Sequence, residues 1–318
     1  MSHLAVSIED APLNSFHQRL TVAVGGASLM DGYILSIIGV ALVQMTAQLQ
    51  LSNFWQGMIA TSALLGIFVG GLFSGWLTDK FGRRKVVFVA PIVFLIASTL
   101  QFWTDSPLVI FLLRFFIGIA IAIDYSAATS LFVEFVPKKY RGSRLAGFTI
   151  LWFAGAALAY IFGDLIVRAS GEHGWRWALA SSILIGVLLL LSRINTSESA
   201  RWLMTKNRNS EAEAIIQKVY GSNYSLANLP ETQSNQKMSL GEMLRMGYGK
   251  RLAFVSIFWT CAVIPVFAVY AFAPKVLSAL KLEGDWAAYG SVAITLLFVV
   301  GCIGGTKLID VLGRRKML

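Results

Sequence analysis

The chain has 318 residues, of which 56% are hydrophobic and only 14% charged, and its mean hydropathy is +0.66. No single core in a soluble protein of this length hides so much apolar surface, so a water-soluble globular fold is excluded. The net charge of +10 does not indicate nucleic acid, because the basic residues stand in short turns between apolar runs and not along one amphipathic face.

About 20 apolar residues cross the hydrocarbon core as a helix. Eight such runs are predicted, near 21–44, 54–76, 86–103, 107–131, 143–167, 176–193, 252–274 and 286–306. Residues Met1 to Leu20 are polar and the first apolar run continues as a full span, so no cleavable signal is expected. With the N-terminus in the cytoplasm, 22 of the 27 lysines and arginines fall on that side. Four (Arg168, Arg176, Lys275 and Lys281) fall outside, and Arg114 lies within a span. That asymmetry sets the predicted orientation.

Asp31 stands well inside the first span, where a carboxylate costs several kcal/mol unless it faces protein, water or a partner. The second span carries Gly66, Gly70, Gly71 and Gly75, which predict close helix contact. It ends in the polar hairpin Gly75 to Lys85, with Asp79, Arg83 and Arg84. A partial echo, Asp310 to Lys316 with Arg314, lies 231 residues further on, and the same offset carries Trp55 onto Trp286 and Gly70 onto Gly301. An internal repeat of this kind is a transporter signature.

In the fourth span Gly118, Ala122, Ser126 and Ser130 form a small-residue seam, with Asp124 off that seam. Arg114 and Asp124 are separated by roughly 15 Å along the axis and cannot neutralise each other. Each therefore needs a partner on another helix or water in a central cavity, and Asp31 is the expected partner of Arg114. Such a buried pair either locks helices together or handles a proton or substrate.

In the fifth span Asp164 and Arg168 read as an i,i+4 surface pair, while Trp152 and Tyr160 either line a cavity or pack. Trp175, Arg176 and Trp177 read as interface anchors at the start of the sixth span. Residues 195–251 are polar, with an amphipathic helix near Ser210 to Val219, and form a connector between two bundles. The seventh span holds Trp259, Thr260, Pro265, Tyr270 and Pro274, and the prolines predict a kinked or broken helix at a site.

Several motifs then come into register. Gly75 to Lys85 resembles the GxLaDrxGRRk loop, Arg114 to Gly118 an RxxxG signature, Glu134 and Arg141 an ExxxxxxR pair, and Glu198 to Trp202 a variant of PESPRW. Together the chain resembles the major facilitator superfamily, in its sugar and metabolite–proton symporter branch. The resemblance implies an all-α integral membrane protein with two six-helix bundles rocking about a central site. Here it implies a complete N-terminal bundle (1–194), a connector (195–251) and two helices of the second bundle (252–318). Asp79, Arg83, Arg84, Glu134, Arg141, Glu198 and Arg201, with Asp310 and Arg314 in the echo, would form ion pairs that hold one conformation closed.

The chain departs from the family pattern in its acids. Ile34 replaces the second acid of a DGYD-like motif, and Ser126 replaces the proline of a DYP-like stretch known from phosphate–proton symporters. The seventh span shows neither the glutamine-rich signature of hexose porters nor the acid of phosphate porters, which weakens both substrates. Eight helices in place of twelve make the chain part of a longer protein or a truncated, transport-incompetent product.

The expected activity is proton symport of a small polar metabolite across a bacterial inner membrane. The candidate coupling or substrate residues are Asp31, Arg114, Asp124, Tyr125, Trp152, Tyr160, Trp259 and Tyr270. Partners are the substrate, a proton and the bilayer. Cys261, Cys302, His3, His17 and His173 make neither a disulfide framework nor a ligand set, so no metal or cofactor is expected. No nucleophile–base pair or phosphate loop supports an enzyme.

Overall fold

The computed structural model describes residues 7–229, 240–279, 285–312 and Lys316, and every regular element among them is helical. The first five helices are α1 (Ser15–Gln48), α2 (Asn53–Phe81), α3 (Arg83–Phe102), α4 (Pro107–Phe135) and α5 (Lys138–Ala169). They are followed by α6 (Gly174–Ala180), α7 (Ser182–Arg193), α8 (Ala200–Thr205), α9 (Asn209–Tyr220) and the short α10 (Leu240–Met243). The last two are α11 (Gly249–Ala279) and α12 (Asp285–Leu312). Eight segments are long and apolar enough to cross a membrane, with α6 and α7 together making the sixth.

Local sequence sets the helix ends. Asn14 caps α1 by accepting from the His17 amide, while His17 Nδ1 accepts from the Asn14 amide, a reciprocal box that satisfies two backbone donors. Between α2 and α3 the chain turns at Gly82 with φ +92°, a conformation that only glycine adopts without strain. Pro107 opens α4 at a position where its missing N–H is harmless.

Glycine also sets how closely the helices approach. A Cβ on Gly32 of α1 would lie 1.9 Å from the Trp152 carbonyl oxygen, and one on Gly155 of α5 would lie 1.9 Å from that of Leu29. The α2–α4 contact is built the same way: Gly66 lies on the Phe115 carbonyl and Gly118 on that of Ala63, each 2.0 Å from a would-be Cβ. Gly118 and Ala122 of the α4 seam therefore face α2, a helix contact of the kind the seam's spacing predicts. Gly71 and Gly75 face open space and do not serve packing.

The bundle reverses the usual polarity of a soluble protein. Phe68, Leu72 and Phe73 of α2 and Leu184, Leu188 and Leu191 of α7 face outward, whereas Asp31, Arg114, Asp124 and Arg193 are buried. An apolar exterior of this kind suits lipid.

Two expectations are corrected. Of the kinked or broken helix expected in the seventh span, the broken form is not found: α11 runs unbroken past Pro265 and Pro274, since a proline removes only one ladder hydrogen bond from a long membrane helix. The break falls in the sixth span, between α6 and α7 at Ser181. There the Ser181 hydroxyl donates to the Ala178 carbonyl at 2.6 Å and meets the Tyr33 hydroxyl at 2.6 Å. Nor is Trp175 an interface anchor: it is fully buried, and its indole N–H donates to Gln48 at 2.6 Å. Only Trp177 is exposed as predicted. The Asp164–Arg168 pair is formed at 2.8 Å.

Helices α8 and α9 form a small amphipathic unit. Ala200, Trp202, Leu203, Ala212 and Ile216 close over Ile8 in its core. Val219 and Tyr220 reach the bundle, where the Tyr220 hydroxyl donates to the Phe135 carbonyl at the end of α4 at 2.5 Å.

Candidate functional site

The buried charges gather where α1, α3, α4 and α7 meet. Arg193, the last residue of α7, turns its guanidinium inward. It grips Asp124 through two parallel bonds, Nη1 to Oδ1 at 2.6 Å and Nη2 to Oδ2 at 2.8 Å, and Nη1 also donates to the Val87 carbonyl of α3. Each side chain of the pair is 1% exposed. A planar fork on a carboxylate is the strongest geometry available to such a pair. Arg193 was not foreseen as a site residue, since an arginine at the end of an apolar run looks like an ordinary orientation signal.

Asp31 lies within electrostatic reach of both Asp124 and Arg193, is 4% exposed, and its Oδ1 has no hydrogen-bond partner. The expected Asp31–Arg114 pair is not formed. Arg114, 1% exposed, donates Nη2 to the Ile34 carbonyl at 3.3 Å, and its Nε has no partner. The α7 arginine goes to Asp124 because α7 packs on α3, where the Val87 carbonyl also accepts from the same guanidinium.

The aromatic candidates separate into two groups. Trp152 packs edge-on to Phe267 of α11 at 5.7 Å, and Tyr160 is buried in the same α5 face, so these two line the junction of α5 with α11 and α12. Tyr125 is 66% exposed and Trp259 61% exposed, and neither is brought to the charged cluster. Tyr125 sits one position past the inward-facing Asp124, about 100° around the helix, which turns it outward. The side chain of Tyr270 lies outside the described residues.

A second polar cluster occupies the basic end of the bundle. The Glu198 carboxylate sits on the N-terminus of α3, where one oxygen accepts the amides of Arg83 at 2.9 Å, Arg84 at 3.1 Å and Ser199 at 2.9 Å. A negative group there meets both the unpaired amides and the positive end of the helix dipole. Gly82 makes room for it, since a Cβ at that position would lie 2.5 Å from Glu198 Oε2. Arg83 pairs with Glu134 at 3.2 Å, Ser199 donates to Glu134, and Arg201 lies within electrostatic reach of it. Trp202 closes the network by donating its indole N–H to the Asp79 carbonyl at 2.9 Å.

The predicted ion pairs at this end are therefore corrected in part. Arg141 bonds Glu9 at 3.6 Å and the Val136 carbonyl at 3.2 Å, not Glu134, because the N-terminal segment comes between them. The exposed side chains of Asp79 and Arg84 form no ion pair among the described residues. Arg314 and the side chain of Asp310 lie outside the described residues.

An all-helical bundle with a lipid-facing exterior, a buried charged cluster and an ordered basic end fits the membrane transporter class. Comparison with known proteins agrees: a family model described as "Sugar (and other) transporter" matches residues 19–318. The chain is 38% identical over 318 residues to the inner membrane metabolite transport protein YgcS of Escherichia coli, covering all of this chain and 70% of that protein. It is 25% identical over 310 residues to an arabinose-proton symporter of Bacillus subtilis, covering 94% of this chain and 67% of that one. Among solved structures, the partially occluded inward-open xylose transporter XylE of E. coli superposes with a TM-score of 0.76 at 20% identity. That superposition covers 94% of this chain and 74% of XylE. The chain belongs to the sugar (and other) transporter family and has the major facilitator fold.

Proposed function

We propose that the chain carries out proton-coupled secondary transport of a small polar metabolite by alternating access, in a bacterial inner membrane with its N-terminus cytoplasmic. On this reading residues 1–194 form the first bundle, 195–251 a cytoplasmic connector and 252–318 the start of a second bundle. The observation that carries the proposal is Asp31: a buried carboxyl group in a spanning helix, with an unpartnered oxygen, beside an ion pair that already satisfies Asp124. An acid held this way has no structural partner to justify it, and exchanging a proton gives it one. The printed names of an arabinose-proton symporter and of a proton:xylose symporter among the similar proteins support the same reading.

On this reading Trp152 and Tyr160, which pack where α5 meets α11 and α12, line the substrate path. Arg114 is a buried cation available to an anionic group of the substrate. At the basic end, Arg83–Glu134 and the Glu198 cap hold one conformation closed. Contacts between charged groups on different elements at this end suit a two-state switch, because they form in one arrangement of the helices and part in the other.

The test is uptake by reconstituted protein across a panel of radiolabelled pentoses, inositols and organic acids, with and without an inward proton gradient. Asp124→Asn is expected to abolish accumulation against a gradient while leaving exchange intact. Accumulation by that variant equal to the parent's would reject proton coupling through this cluster. Accessibility of single cysteines in the 195–229 region to a membrane-impermeant reagent tests the orientation. Labelling from the outside of intact cells would reverse it.

A further inference from the structure

A strap of chain crosses the basic end of the bundle just before α1. Ile8 is buried among Ala200, Trp202, Leu203, Ala212 and Ile216 of the α8–α9 unit, and Glu9 pairs with Arg141 at the start of α5 at 3.6 Å. Ala11 is buried as well. Asn14, where the strap meets α1, donates its side-chain amide to the Val219 carbonyl of α9 and accepts from the His17 backbone amide. Residues 7–14 thus tie α8 and α9 to the bundle, and the cap of α1 is the knot.

That cap closes on a titratable acceptor. A box of this kind ordinarily has Glu or Gln at the third helical position, with an oxygen that accepts from the cap amide. Here the Asn14 amide donates to His17 Nδ1 at 3.1 Å, and on the other side of the ring Nε2 meets the Phe135 carbonyl of α4 at 3.1 Å. The amide can only donate and the carbonyl only accept, so the ring carries its single proton on Nε2 and is neutral. A second proton, on Nδ1, would set two N–H groups against each other in a site where His17 has no exposed surface.

The groups facing the ring from neighbouring elements are bonded elsewhere. Tyr220 of α9, with its ring centroid at 5.4 Å, donates to the Phe135 carbonyl. Arg144 of α5 donates to the His17 backbone carbonyl at 3.5 Å and to the Thr21 hydroxyl. Glu9 in the strap is taken by Arg141, and Glu134 of α4 by Arg83 and Ser199. Asp10, Arg19 and Lys218 are exposed.

We propose that His17 is a proton-operated latch: the strap is fastened while the ring is neutral and is released when the ring takes a second proton. Opening puts the ring in water, where a histidine titrates near about pH 6.5. The open form therefore binds more protons than the closed one and gains as pH falls. Between about pH 8 and about pH 5 the balance shifts toward the open form by about thirtyfold. The latch rests on the transport reading only for its meaning: on that reading the strap lies in the cytoplasm, the compartment that inward proton movement acidifies.

The experiment measures the rate at which Ala11→Cys reacts with a thiol reagent, on the full chain in lipid nanodiscs with Cys261→Ser and Cys302→Ser in the background. Each rate is divided by that of the exposed Asp10→Cys at the same pH, which removes the pH dependence of the thiol itself. With His17 present the ratio is expected to rise about thirtyfold from about pH 8 to about pH 5. In His17→Gln it is expected to stay level, since the amide oxygen rebuilds the box without titrating. A level ratio with His17 present, or an equal rise in His17→Gln, would overturn the latch; the first outcome needs no variant of the ring to fold. If the latch opens as expected but no substrate in the panel is driven by a proton gradient, the transport reading fails and the latch stands.

Discussion

The close approach of α1 to α5 depends on Gly32. In Gly32→Ala the new Cβ would lie 1.9 Å from the Trp152 carbonyl oxygen, whereas real Cβ contacts stay beyond 3.0 Å, so the helices must separate by about 1.1 Å. The obstacle is backbone, which no rotamer change relieves. Overpacking of this kind costs about 1–3 kcal/mol and occasionally more, and a backbone clash belongs at the upper end, about 3 kcal/mol. The reciprocal Gly155→Ala meets the Leu29 carbonyl at the same distance and is expected to cost the same. Gly71→Ala is the control: its Cβ meets nothing within 4 Å, and alanine's better helix propensity predicts no loss, or a gain of up to about 1 kcal/mol. Reversible unfolding in mixed micelles, followed by circular dichroism, measures all three. Equal stability of Gly32→Ala and Gly71→Ala would refute the account of the α1–α5 contact.

Two further expectations concern the basic end. Glu198→Ala leaves three amides without their acceptor, a loss of about 3 kcal/mol at about 1 kcal/mol per bond. Glu198→Gln keeps an oxygen and loses only the charge, about 1 kcal/mol. Hydrogen exchange over residues 198–220 and the first turn of α3 is expected to rise in that order, and unchanged protection in Glu198→Ala would contradict the cap. Burial also pushes the Tyr220 phenol above its ordinary value of 10.0, so the folded state keeps a proton that the unfolded state releases. Its contribution is therefore complete below about pH 10 and lost as pH rises above it. Tyr220→Phe is expected to flatten the alkaline fall in stability, and identical slopes would rule this out.

Eight spans, the small-residue seam of α4, the Asp164–Arg168 pair and the amphipathic α9 were legible in the sequence because each is a local pattern of period or spacing. The family motifs likewise located Glu198, Arg83 and Glu134, though not which backbone amides or hydroxyls they would meet. Arg193 was invisible for a physical reason. A helix-end arginine can extend to water or turn inward, and the sequence around it is the same in both cases. The N-terminal segment was missed similarly: Glu9 takes Arg141, and His17 lies on the Phe135 carbonyl at 3.1 Å. No local pattern marks either contact.

What the amino-acid sequence alone determined is the solvent of this protein and the number of times it crosses it, since both follow from counting apolar residues. Which acid is paired and which is left over was decided only when α7 was laid against α1 and α3. The Arg193 guanidinium forks on Asp124, Arg114 spends a donor on the Ile34 carbonyl, and one oxygen of Asp31 is left without a partner.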